Sequence, residues 1–348
     1  MNKVFSFSLL VITVVSLNAQ TTDVVTGLSS PYGIFLNGTD LYIAEKTGGK
    51  ISKIDITDTN PTAVDVITGI VGPTDIVLSG NDLYFLENGS EILSKIDITD
   101  TNPIPEVVIT GLSSPTGMVI SGNFIFIAEF TGRKISKVDI TQSNPVLVDV
   151  LTNGLFYPNN LFLLGNELYI TDFGYDFVLK IDITDSNPIA TEVVADLDGP
   201  SNVASYGNQL FIAEHDGNKI SKINLTDPIP SPIDVVTGID FPSDIVFHDN
   251  VLYIAELSGN KISKLEANLG IDNMVLKSKI LLYPNPSKGT IQLLNISGLE
   301  GYKIYNSIGS KVLEGSISEN EKINIQNLQN GVYIIELSCG KTINFIRN

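Results

Sequence analysis

The sequence predicts an all-β protein: a six-bladed β-propeller closed by its N-terminal strand, followed by a small C-terminal β-sandwich. Three observations carry this. Pro31, Pro73, Pro115, Pro158, Pro200 and Pro242 recur every 42 or 43 residues. Each interval holds four short segments rich in β-branched and aromatic residues, punctuated by Gly, Asn, Asp and Pro at turn positions. The outer-strand segment occurs first at Asp23 to Gly27, before any inner set, and none follows the sixth set.

In chain order, residues 1–19 read as a signal peptide. Lys3 gives a positive start, Phe5 to Leu17 is apolar apart from Ser and Thr, and Leu17-Asn18-Ala19 supplies small residues for cleavage. That apolar run is shorter than the roughly 20 residues a spanning helix needs, and no second run exists, so no transmembrane anchor is expected.

The propeller is assigned to 20–266. Its first repeat reads Val24-Val25-Thr26-Gly27, Gly33-Ile34-Phe35-Leu36, Leu41-Tyr42-Ile43-Ala44-Glu45 and Ile51-Ser52-Lys53-Ile54-Asp55-Ile56. Segments this short are not ordinary helices, and four strands in about 42 residues is the arithmetic of a propeller blade. With no outer strand after the sixth set, Val24 and Val25 are expected to complete the last blade and hide its open edge. The pattern resembles the six-bladed propellers of the NHL-repeat and gluconolactonase-like (senescence marker protein) group. Pro31-Tyr32-Gly33 with Leu41 to Glu45, and Pro115-Thr116-Gly117 with Ile125 to Glu129, carry that likeness.

Residues 267–277 read as a linker. In 278–348 a new set of alternating segments begins, which predicts a small sandwich. Three motifs make this tail resemble the type A C-terminal sorting domain of the Bacteroidetes type IX secretion system. They are Tyr283-Pro284-Asn285-Pro286 with Gly289; Tyr302 to Gly309 with Val312-Leu313; and Asn327 to Ile335 running to Asn344-Phe345-Ile346-Arg347. The resemblance implies interaction with the secretion machinery, passage through the periplasm, and release or attachment at the outer-membrane surface.

Composition narrows the function. The chain has 348 residues, 39 acidic and 21 basic, for a formal charge of −18. Such a balance repels nucleic-acid phosphates and anionic lipid. One cysteine, Cys339, excludes an internal disulfide or a thiolate cluster, and two separated histidines, His215 and His248, leave little for a histidine relay.

A repeat separates blade residues from ligand candidates: what every blade carries serves the blade. Glu45, Glu87, Glu129, Asp172, Glu214 and Glu256 end each second strand, and are expected to accept backbone N–H bonds from the following loop. The Asp55-to-Pro61 stretch, repeated from Asp97, Asp139 and Asp182, lacks the glycine and distal glutamate of a calcium loop and reads as a turn. Two places after the prolines, by contrast, the residue varies: Gly33, Asp75, Gly117, Asn160, Asn202 and Asp244. Asp75, Asn160, Asn202 and Asp244, with Asp198 and Asp240 before their prolines, form a candidate oxygen-ligand set for calcium. In the gluconolactonase-like enzymes comparable Asn and Asp positions hold a catalytic metal with a Glu from the first blade. Here Asn160, Asn202 and Asp244 match and that Glu is missing.

Blade four departs most. Phe156, Tyr157, Phe173 and Tyr175, with Phe130 and Phe241 on neighbouring blades, are candidates for stacking on a glycan or peptide ligand. The expected function is a binding or interaction propeller at the cell surface, with a calcium-dependent hydrolase or lactonase and a purely architectural protein as alternatives.

Overall fold

The computed structural model describes residues 20–266, 281–283, 287–294, 300–306, 309–318, 321–338 and 342–347. The leader read at 1–19 and the linker read at 267–277 lie outside these residues. The chain divides into two compact units, 1–269 and 270–348. Every regular element among the described residues is a strand.

In the first unit, six four-stranded antiparallel sheets follow the repeat. Five are meanders of consecutive strands. The sixth borrows its outer strand: Thr22–Thr26 pairs with Lys261–Glu266, which continues through Val251–Glu256 to Pro242–His248. Each inner strand adjoins the next, and Pro242–His248 adjoins Pro31–Asn37, so the ring closes. Closure removes the one unpaired edge that the strand count leaves over.

Burial explains the segment chemistry. In Asp40–Glu45 every residue after the first is buried, because neighbouring sheets cover both faces. Such a strand reads as a continuous apolar run rather than an alternation. In the outer strands exposure dominates, as in Val64–Thr68, so the apolar content falls toward the rim.

Two devices recur, a turn after the third strand in five sheets and a buried acid ending the second strand in all six. Asp55 Oδ1 accepts from both the backbone N–H and the hydroxyl of Thr57, at 2.9 and 2.7 Å. The same turn recurs at Asp97, Asp139, Asp182 and Asn224, so the aspartates of this stretch serve a side-chain-to-backbone turn. The acid ending each second strand is buried, and here the expectation is corrected. Glu45 Oε2 accepts the N–H of Ser29, sixteen residues earlier in the loop before the inner strand, not one from the following loop. Glu87, Glu129, Glu214 and Glu256 do the same for Val71, Ser113, Asp198 and Asp240. A two-carbon stem projects past the strand end toward the incoming chain. Only the shorter Asp172 also reaches the following loop, where it accepts from Gly174 and Tyr175.

Every inner strand slips register directly after its proline; Pro115 lies opposite Glu129, yet Gly117 lies opposite Ala128. Such bulges re-aim side chains and leave backbone groups to be satisfied elsewhere. They set up the channel described below.

The second unit is a sandwich of a three-stranded and a four-stranded sheet. Ile291, Leu293, Ile304, Ile323, Ile335 and Phe345 lie in its core.

Candidate functional site

The ring has a central cavity of about 330 Å³ lined by the inner strands, with Asp75, Asn160, Asn202 and Asp244 at the bulges. The bulges free the next backbone N–H in each strand, and the side chains collect these donors. Asp244 accepts from Ile245 of its own blade and, with its other oxygen, from Ile34 of the first blade, both at 2.7 Å. Asp75 accepts from Ile76 at 2.7 Å and from Met118 of the third blade at 2.6 Å. The receiving blades carry glycine at the equivalent place. A Cβ on Gly33 would stand 2.3 Å from the Thr74 carbonyl oxygen, and one on Gly117 would stand 2.5 Å from Asn160 Cα. Blades one and three therefore have no side chain of their own there and borrow an acceptor from the preceding blade. Asn160 Oδ1 bonds its neighbour Leu161 N–H at 2.6 Å, while Asn202 Oδ1 is buried without a partner.

Burial pushes the Asp75 carboxyl up to about 7. Asp244 is held well above the usual carboxylate range by burial and by the charge of Asp75. This donor set does not fit calcium, which takes six to eight oxygens. All four carboxylate oxygens already accept backbone bonds, and among the described residues no group of three or more His, Cys, Asp or Glu gathers to hold a metal. Asp198 and Asp240 do not join the four: both are exposed and neither lines the cavity. Their backbone N–H groups are held by Glu214 and Glu256, which fixes them in the inter-blade loops.

Loops after the second strands form the mouth. A repeated backbone bond places them: Lys46, Asn88, Phe130, Phe173, His215 and Leu257 each donate N–H to the residue preceding the proline in their own blade. Six equivalent positions thus carry six chosen side chains. From blade one Tyr32 reaches blade four, where its hydroxyl donates to Asn159 Oδ1 at 3.0 Å. Burial, then the charges of Asp75 and Asp244, raise the proton affinity of its phenol, so it stays neutral and a donor. Tyr32, Phe130, Asn159, Phe173, Ser201, His215 and Ser243 enclose a second cavity of about 190 Å³.

The predicted aromatics come together. Phe241 meets His215 at 4.7 Å between ring centres, His215 meets Phe173 at 5.8 Å, and Phe173 meets Phe130 at 6.4 Å. Phe130 stacks on Tyr157 at 4.6 Å, and Tyr157 leads through Phe156 to Tyr175. Asp172, fully buried, anchors this arc by accepting the N–H groups of Phe156, Tyr157, Gly174 and Tyr175. Gly174 is required there, since a Cβ would stand 2.4 Å from the Phe156 ring.

Tyr32, Asn159, Lys46 and Arg133 are site residues that the sequence reading omits. A readable signal existed for Lys46: the position after the recurrent acid holds a different side chain in nearly every blade. Lys46 Nζ lies 4.3 Å from the Tyr32 ring centre, and the Arg133 guanidinium carbon 4.4 Å from that of Phe156.

Residues 281–347 match the family model described as the secretion system C-terminal sorting domain. No curated protein matches the sequence. Among solved structures, virginiamycin B lyase from Staphylococcus aureus is 20% identical over 72% of this chain and 85% of that one, with a TM-score of 0.54. An auxiliary nutrient binding protein from Bacteroides ovatus is 12% identical over 71% and 76%, at TM-score 0.60. Luciferin-regenerating enzyme is 11% identical over 72% and 95%, at TM-score 0.59. Likeness at these identities establishes the fold alone. Among the described residues no helix is long and apolar enough to cross a membrane. Residues 281–347 are thus a type IX secretion sorting domain, and the chain is a β-propeller protein that is secreted or carried to the outer-membrane surface.

Proposed function

We propose that the propeller is a binding module whose loop face takes a glycan or peptide ligand, and that the machinery recognising residues 278–348 delivers it. The aromatic arc carries this reading. Phe130, Phe156, Tyr157, Phe173 and Phe241 are all partly exposed, and Tyr175 is 48% exposed. Phe130 and Phe173 line a cavity shaped by Tyr32, and flat faces beside a small cavity suit rings or planar groups. The same reading takes residues 1–19 as the signal peptide of a Bacteroidetes protein and the propeller as kin of the NHL-repeat and gluconolactonase-like group. The calcium-dependent hydrolase has no support from the carboxylates of the channel, whose oxygens face the backbone.

Screening the full mature chain against oligosaccharide and peptide panels should find a ligand that Phe173→Ala weakens at least tenfold, with the melting temperature nearly unchanged. A loss of that size corresponds to about 1.4 kcal/mol, within reach of one aromatic stacking contact. Binding that survives both Phe173→Ala and Phe130→Ala places the ligand elsewhere and sinks the proposal. For delivery, removing residues 278–348 should leave the propeller in the periplasm, shielded from protease added to whole cells. Unchanged cleavage at the cell surface refutes that part.

A further inference from the structure

The propeller, residues 20–266, holds 33 acidic and 12 basic side chains. Eight of those bases are paired with carboxylates: Lys50, Lys53, Lys95, Lys134, Lys180, Lys219, Lys261 and Lys264. With nearly three acids for every base, an unpaired cation is an exception to be explained. Lys46 and Arg133 are two such cations; neither has a carboxylate partner among the described residues, and both rest on aromatic rings at the mouth. Each is also the one basic side chain among six equivalent positions, apart from His215. The positions equivalent to Lys46 carry Asn88, Phe130, Phe173, His215 and Leu257. Arg133 occupies a left-handed turn position (φ 53°) where the other blades have Gly49, Glu91, Asp176, Asn218 and Asn260, so it is the one basic side chain of the six.

Burial lowers the proton affinity of Lys46, which means that its ammonium is partly stripped of water and has no counter-charge to replace it. An anion brought next to it would supply one. The ring beneath it, Tyr32, belongs to the wall of the 190 Å³ cavity, so cation and cavity are contiguous. The polar side chains of that wall are already engaged. Tyr32 donates to Asn159, Asn159 to the Ser201 carbonyl, Ser201 to Pro242 and Ser243 to Pro31. His215 Nδ1 is turned to Asp216 at 2.7 Å. A ligand group entering the cavity therefore meets apolar ring faces, and its charge is read at the margin.

We propose that the loop face selects an anionic ligand: a carboxylate-bearing ring seated against Phe130 and Phe173, with its carboxylate on Lys46 and further acidic groups along the arc near Arg133. The inference rests on the loop-face binding reading above and adds the sign of the ligand's charge. Such chemistry occurs in a uronic-acid sugar and in the terminal carboxylate of a peptide ending in an aromatic residue.

Two matched pairs test it by titration calorimetry on the full mature chain. One is trigalacturonate against its methyl ester; the other is N-acetylphenylalanine against its amide. Within at least one pair the acid should bind tenfold or more tightly than its neutral partner, and that pair names the source. Raising salt should narrow the gap, and Lys46→Met, which keeps the aliphatic stem, should abolish it without moving the melting temperature. Equal binding of acid and neutral forms, or a preference that Lys46→Met leaves intact, overturns the charge selection while leaving the binding face standing. Failure of all four probes overturns this inference, while a ligand from the panel that still depends on Phe173 would preserve the broader reading.

Discussion

A chain of residues 28–348 is expected to melt at least 10 °C below one of residues 20–348, or to lose cooperative unfolding altogether. Residues 20–27 contain the whole outer strand of the sixth sheet, paired to Lys261 through Lys264. Val25 and Leu28 are 8% and 6% exposed and share a cluster with Ile34, Leu41, Ile54 and Ile262. Burying a side chain of this size stabilises by about 1.5–3 kcal/mol, so losing Val25 and exposing Leu28 and Ile262 removes a large part of a typical domain stability of about 5–15 kcal/mol. The Lys261–Asp23 ion pair at 2.6 Å adds little, since Asp23 is about half exposed and surface pairs contribute roughly 0–1 kcal/mol. Asp23→Ala should therefore shift the midpoint by no more than a few degrees, which separates strand pairing from charge. Adding a synthetic peptide of residues 20–28 to the truncated chain should restore part of the loss. Truncation that leaves the melting temperature within about 2 °C would show that the ring does not depend on its N-terminal clasp.

The propeller was legible because its information is local and repeated. Strand length, turn residues and the unpaired count of outer strands each follow from short stretches such as Val24 to Ile56. The aromatic arc was legible for the opposite reason: blade four gathers Phe156, Tyr157, Phe173 and Tyr175 in its loops, and Tyr175 stands where the other blades have Gly or Ser. Contacts across the ring were hidden. Tyr32 and Asn159 are 127 residues apart, and their hydrogen bond exists because the first inner strand faces the fourth across the channel. Asp75 and Asp244 were found by position yet assigned to a metal. The sequence does not announce that a bulge after each proline frees the N–H groups of Ile34, Ile76, Met118 and Ile245, and those donors decide where the carboxylates point. Asp198 and Asp240 share the loop but not the bulge, so they stay outside the cavity. The direction of the recurrent Glu45-type acids was misjudged because the partner loop lies before the inner strand in sequence and beside the strand end in space.

Those two channel aspartates should make stability fall as pH rises from about 4 to about 7, on top of the pH dependence of the surface. An aspartate in the unfolded chain titrates near 4. In the fold, burial raises Asp75 to about 7, and burial together with Asp75 raises Asp244 further above its ordinary range. A raised acid binds its proton more tightly in the folded state, so its favourable contribution is complete below the unfolded value and is lost as pH passes through the folded one. Asp75 alone sets a ceiling of about 4 kcal/mol for that loss, from roughly three units at 1.36 kcal/mol each. Asp75→Asn with Asp244→Asn removes the titration while keeping the shape. Each amide can accept one backbone N–H but turns a donor toward the second, from Met118 or Ile34, or from the neighbouring residue. A buried donor left unpaired costs about 1–3 kcal/mol, so the double variant should be clearly less stable at pH 4.5. By pH 8 the gap should narrow or reverse, because only the wild type carries the burden of two buried carboxylates. Urea midpoints of both proteins at pH 4.5, 6 and 8 decide the matter. Parallel profiles would mean that the two carboxyls titrate normally in the folded protein and add nothing to its pH dependence.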